Sequence, residues 1–262
     1  MKMSVYINQY APKDRLLSSK KRPTESNKTI FLAILKGDEG QLYLNFNKGK
    51  ESIVSNKSLI GYGYEFEQRV ISGEWIFDEK LFFSCARLLA CMDIALNLKK
   101  SGGNISVPKK TKTLKYHQLI GEKLPFSLEH FLINEALKEH SEISFLLDEL
   151  RQCESYWLSQ YLLIHLADKS NDVAALEKHY GVSTTHFRRL CNKYLGTCCK
   201  SQLRFWRATS AVLSTLTERK SLTNIAIDNG FCSPSHFSNE VKRLFGLSPR
   251  EFRGLRKYFY DI

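Results

Sequence analysis

The sequence predicts an α+β chain. A small β-rich N-terminal domain with helices precedes an all-α C-terminal domain of two helix-turn-helix motifs joined by a long helix. Three observations lead there. The hydrophobic pattern changes from strand-like to helical after Asp78. The last third repeats itself at a shift of 50 residues. Most of the excess positive charge falls on that repeat. The expected division is a regulatory or interaction domain over 1–150 and a second domain over 151–262. Within the latter, the first motif covers about 172–196, the linking helix about 201–216, and the second motif about 221–246.

The stretch from Thr29 to Phe77 reads as about five strands in a small sheet or partial barrel. Thr29–Leu35 is an apolar run that stops at the turn signal Gly37-Asp38-Glu39-Gly40, and Leu42–Phe46 alternates. Leu59–Tyr64 and Phe66–Ile71 add aromatic and β-branched residues. Leu81, Phe82, Cys85, Leu88, Leu89, Met92 and Leu96 then recur at helical spacing, with Asp78 as N-cap and an end near Lys100. The Lys-rich segment through Pro108 to Lys115 reads as an exposed linker. Helical signal follows over Ser127–His140, Ser141–Gln152 and Glu154–Leu166, and Ser170-Asn171-Asp172 marks the start of the next unit.

The chain has 262 residues, 39 basic and 27 acidic, for a net charge of +12. Hydrophobic residues make up 43% of it, so a real core is expected and a disordered polycation is not. Residues 1–169 carry 24 basic and 20 acidic side chains, and residues 170–262 carry 15 and 7, a net of +8. The first part divides further into a +6 block, Asn97–Lys123, and a −6 block, Phe126–Asp168. These two blocks suit contacts with each other or with a protein partner. No run reaches 18 apolar residues, so no spanning helix is expected, and the start lacks the apolar core of a signal peptide. Seven scattered Cys without a CxxC pair, and seven scattered His, suit reduced thiols in the cytoplasm, with no metal and no cofactor.

Each copy of the repeat has a short helix, a turn holding one Gly, and a second helix. The short helices are Val173–Tyr180 and Leu222–Asn229. Ser183 caps Thr184–Leu195 and Ser233 caps Pro234–Phe245, with Gly196 and Gly246 as left-handed C-caps. This is helix-turn-helix grammar. Ser201–Leu216 joins the copies, its apolar stripe formed by Leu203, Trp206, Val212, Leu213 and Leu216. Sixteen residues at 1.5 Å each span roughly 24 Å. With half of each motif added, the second helices stand about 34 Å apart, one turn of B-DNA. One chain then reads a non-palindromic site in two successive major-groove segments.

At this point the sequence resembles the AraC/XylS family of transcription regulators. The second copy carries the resemblance in Ile225-Ala226, Gly230-Phe231, Ser233, Ser235-His236-Phe237-Ser238, Lys242, Phe245-Gly246, Ser248-Pro249 and Phe252-Arg253. The first copy adds Leu176, Gly181-Val182-Ser183 and His186-Phe187-Arg188-Arg189-Leu190. Glu154-Ser155-Tyr156-Trp157-Leu158, with these motifs, is similar to the InvF/MxiE-type activators of type III secretion genes. The resemblance implies activation of secretion and effector genes through double-stranded promoter DNA and RNA polymerase, with a secretion chaperone as co-activator. Two positions depart from the family's pattern. Asn239 stands where an Arg is frequent, and Val241 precedes Lys242 where an aromatic residue is common.

Thr185, Arg188 and Arg189 are the expected base readers of the first copy, and Ser235, Ser238 and Asn239 those of the second, where Asn can bond adenine with two hydrogen bonds. Thr184, Lys200, Arg204, Arg207, Lys242, Arg243 and Arg253 are the expected phosphate contacts. His186 and His236 repeat beside Phe187 and Phe237, which suits packing or backbone contacts rather than catalysis. Cys198-Cys199 reads as two small residues in the turn between helices. No phosphate loop, nucleophile elbow or metal-spaced set suggests an enzyme. Competing readings are a regulator controlled by a small molecule in the N-terminal domain and a non-specific architectural DNA binder. A homodimer through Asp78–Lys100 or Glu154–Leu166 is left open, and no membrane partner is expected.

Overall fold

A computed structural model describes residues 28–46, 51–64, 66–96, 115–119, 127–167, 173–256 and 258. The chain divides into two compact units, Met1–Gln160 and Tyr161–Ile262. The architecture is α+β, with a sheet and helices in the first unit and helices alone in the second.

The first unit is built on two long antiparallel strands, β1 (Lys28–Phe46) and β4 (Phe66–Leu81). The other edge of β1 is shared by β2 (Glu51–Ser55), opposite Leu42–Phe46, and β3 (Leu59–Tyr64), opposite Lys28–Ala33. A short strand, β5 (Lys115–Gln118), adds beyond β3. The expected turn at Gly37-Asp38-Glu39-Gly40 is not a break between strands. β1 runs through it, and the extra residues are absorbed as a bulge where the register shifts between Lys36 and Gln41. Lys115, read as linker, belongs to β5. That strand lies mostly exposed and has no apolar alternation to announce it.

Both faces of β1 are buried, which is why Ile30-Phe31-Leu32-Ala33 is apolar without interruption. Ile30, Leu32 and Ile34 pack with Ile60 and Tyr62 against three helices, α1 (Phe82–Ala95), α2 (Leu128–Leu137) and α3 (Ser144–Arg151). On the opposite face Phe31, Phe46, Phe66 and Phe77 fill the curl of the sheet, with ring centroids 4.9–5.9 Å apart.

Asp78 does not cap α1, because β4 continues past it to Leu81, which is the N-cap. Its carboxylate instead accepts from the backbone N–H of Leu128 at 2.8 Å and so caps α2, together with Ser127. Asp93, buried on α1, accepts from Arg151 at 2.8 and 3.1 Å and from Tyr156 Oη at 2.7 Å. This ties α1 to α3 and to α4 (Glu154–Ile164). Glu149 accepts from Lys28 at 3.0 Å and Lys115 at 2.5 Å. The second contact joins the basic and acidic blocks of the sequence. The other lysines of the basic block lie outside the described residues, as does the start signal Ser170-Asn171-Asp172.

The second unit holds α5 (Val173–His179), α6 (Thr184–Leu195), α7 (Cys199–Thr217), α8 (Leu222–Asp228), α9 (Pro234–Phe245) and α10 (Pro249–Gly254). Leu176, Phe187, Leu190, Cys191, Tyr194 and Leu195 are the buried apolar side chains of the first motif. Ile225, Ala226, Phe231, Phe237 and Val241 form the second core together with Ala208, Ala211 and Val212 of α7. Leu213, placed in the apolar stripe by its spacing, is exposed, and the small residues Ala208 and Ala211 take the buried positions instead. A close seat between helices favours short side chains there.

Candidate nucleic-acid interface

The caps fix where the second helix of each motif begins. Ser183 Oγ accepts from His186 N–H at 3.3 Å, and Ser233 Oγ from His236 N–H at 3.1 Å. The two histidines thus serve the caps through their backbone. The His236 ring is further held by Cys232, 3.1 Å from its Nδ1, and by the Phe231 ring. Gly196 and Gly246 close the helices at φ 70 and 79.

With the ends fixed, helical periodicity sorts the side chains. On α6, Thr184, Thr185, Arg188, Arg189 and Asn192 are exposed, while Phe187, Leu190 and Cys191 are buried. On α9, Ser235, Asn239, Lys242 and Arg243 are exposed and Ser238 is half-buried, while Phe237 and Val241 face the core. Each helix therefore offers one polar face that begins at its positive N-terminal end.

The basic candidates differ in what they already hold. Lys200 and Arg204 are exposed and Arg207 half-buried, all on one side of α7. With Leu203, Phe231, His236 and Glu240 they line a groove inside this unit. Arg207 Nε is buried there with no hydrogen-bond partner among the described residues. Burial first, and the charge of Arg204 second, hold its pKa below the usual arginine range, while Glu240 acts the other way. Arg243 donates to both oxygens of Glu240, at 2.6 and 3.3 Å, so its charge is answered within α9. That hydrogen bond outweighs burial, which acts the other way, and holds Glu240 below the usual carboxylate range. Arg253 donates to the Lys220 carbonyl at 2.6 Å and so fastens α10 to the end of the α7–α8 connection. Lys242 and Thr184 are exposed.

Residues 176–254 match a family model described as a helix-turn-helix domain. The invasion protein InvF of Salmonella typhimurium is 39% identical over 127 residues, which is 48% of this chain and 58% of the relative. The transcriptional regulator MxiE of Shigella flexneri is 36% identical over 129 residues, 49% of this chain and 61% of that protein. The arabinose operon regulatory protein of Escherichia coli is 32% identical over 94 residues, 36% of this chain and 32% of that protein. About half of the chain is thus similar to transcription regulators of the AraC/XylS type. The chain spans about three fifths of the length of the first two relatives.

The similarity is to DNA-binding transcription regulators and not to enzymes. In this chain the duplicated fold keeps its caps and cores while the polar faces of α6 and α9 carry different side chains. Among the described residues, no helix is long and apolar enough to cross a membrane. All seven cysteines are free thiols. Cys198 is the exposed N-cap of α7 and Cys199 its buried first residue.

Sequence reasoning missed Glu177, an acid buried on α5 whose Oε1 lies 3.0 Å from Arg188 Nε. Its only signal was an acid directly after the apolar Leu176 of a short helix. It also missed α10, whose start is a complete capping box between Ser248 and Glu251.

Proposed function

We propose that this chain is a sequence-specific transcription activator that reads promoter DNA with α6 and α9. The observation that carries the reading is the duplicated motif, in which α6 and α9 bear unlike polar faces and one helix, α7, joins the two copies. That helix has 19 residues and is roughly 28 Å long at 1.5 Å per residue. Such a spacer suits two successive major-groove segments, whose centres lie about 34 Å apart. Thr185, Arg188 and Arg189 read bases in one segment, and Ser235, Ser238 and Asn239 read bases in the other. Thr184, Lys200, Arg204, Arg207, Lys242, Arg243 and Arg253 hold phosphates, with Arg243 and Arg253 contributing least because each already has a partner.

Similarity to InvF and MxiE supports secretion and effector genes as targets, action in the cytoplasm on RNA polymerase, and a secretion chaperone as co-activator. The filled inner face of the sheet, packed with Phe31, Phe46, Phe66 and Phe77, favours a protein input over a small ligand enclosed there. Gel shifts of promoter fragments of type III secretion genes against scrambled duplexes, repeated across salt concentrations, test the DNA reading. Equal affinity for both would leave only an architectural binder. A reporter assay with and without the chaperone gene tests the input, and full activity without the chaperone would remove that partner.

A further inference from the structure

The pair formed by Glu177 and Arg188 has no counterpart in the second copy, and the internal repeat makes the difference informative. α5 and α8 are both seven residues long. Glu177 follows the buried Leu176 and stands four residues before Gly181. Ala226 follows the buried Ile225 and stands four residues before Gly230. Arg188 and Ser238 likewise each follow the buried phenylalanine of their reading helix, Phe187 and Phe237. One copy thus has a buried carboxylate with an arginine, and the other has a methyl group with a small hydroxyl.

The carboxylate sits in an expensive place. Glu177 keeps 4% of its side-chain surface exposed, in a seat that the second copy fills with the fully buried Ala226. Its partner is not buried, because the Arg188 side chain is 70% exposed. A buried acid spent on an exposed arginine makes poor sense as core stabilisation. It makes good sense as a holder for the guanidinium.

We infer that Glu177 is a positioning residue that presets Arg188 for reading guanine. This rests on the proposed DNA reading. A guanidinium is a planar fork of five N–H donors. Glu177 takes Nε at 3.0 Å, which fixes the plane of the fork. The Nη pair remains for guanine O6 and N7, the two-bond contact that specifies that base. Rotamer freedom is then lost on folding rather than on binding, so discrimination rises without a new contact to DNA. The second copy, without this pair, reads through short side chains that need no such support.

The test uses the full chain and a duplex enriched by it from a random-sequence pool. The readout is the ratio of affinities for that duplex and a scrambled one, with salt dependence and thermal melting alongside. Arg188→Ala and Glu177→Ala should each lower the ratio by a factor on the order of ten. The double variant should fall no further than Arg188→Ala alone, because the two residues act as one unit. Glu177→Gln, whose amide oxygen still accepts from Nε, should keep most of the ratio. Scrambled-DNA affinity and salt slope should stay at wild-type values in Glu177→Ala, which a merely structural loss would not allow. Glu177→Ala together with Arg188→Ser installs the second copy's pair and should fold as wild type, so loss of the ratio there is not unfolding. If Glu177→Ala keeps the wild-type ratio while Arg188→Ala loses it, the positioning role is overturned and the DNA reading stands. If Arg188→Ala keeps the ratio, the guanine assignment falls as well.

Discussion

Arg204 and Arg207 lie one turn apart on α7 and line the same groove, where Arg207 Nε is buried without a hydrogen-bond partner among the described residues. Two guanidinium groups this close repel each other, and Arg204 helps hold the Arg207 pKa down. An anion entering the groove relieves both effects. A DNA phosphate is such an anion. Replacing either arginine by Ala should weaken enriched and scrambled duplexes alike. Each change should reduce the slope of log affinity against log salt by about one. A slope unchanged in both variants would show that neither meets a phosphate.

The two reading helices depend on their serine caps. Ser183→Ala and Ser233→Ala each remove one acceptor from a helix N-terminus, at 3.3 and 3.1 Å from the donor. Each should cost about 1 kcal/mol of stability. Urea denaturation followed by circular dichroism measures this. Gly at either position should be milder than Ala, since a capping Gly leaves the backbone accessible to water.

Glu149 gives the first unit a sign-definite response to pH. Burial alone would raise its pKa. Hydrogen bonds from Lys115 and Lys28, with the charge of Lys28, outweigh burial and hold it below the usual carboxylate range. A depressed folded-state pKa contributes stability above the unfolded value of about 4.3 and loses it as pH falls through the folded value. Acid titration should therefore destabilise the wild type below about pH 4.3 more steeply than Glu149→Gln. Matching acid limbs for the two proteins would refute the assignment.

The second unit was legible because its determinants are local. Ser183, Ser233, Gly196 and Gly246 act within a turn of where they stand, and Phe187 and Phe237 recur at the same place in each copy. What was not legible was settled at a distance. Asp78 looks like a cap for the helix that follows it, yet its partner is Leu128, fifty residues on. Gly37–Gly40 looks like the end of a strand, but pairing with β4 along its length carries β1 through as a bulge. β5 takes its strand form from the edge of β3 and not from its own composition. At the candidate interface, periodicity could separate exposed from buried residues. It could not show that Arg188 is held by Glu177, Arg243 by Glu240 and Arg253 by a backbone carbonyl, because those are tertiary or side-chain choices.

On the proposed reading, one chain reads two unlike, successive major-groove segments. Selection of duplexes from a random pool by the wild-type chain, followed by sequencing, tests it most directly. The result expected is a non-palindromic site with two short conserved patches centred about 10 base pairs apart. Arg188→Ala should erase information in one patch, and Asn239→Ala in the other. A single patch, a palindrome, or no enrichment over the starting pool would contradict it.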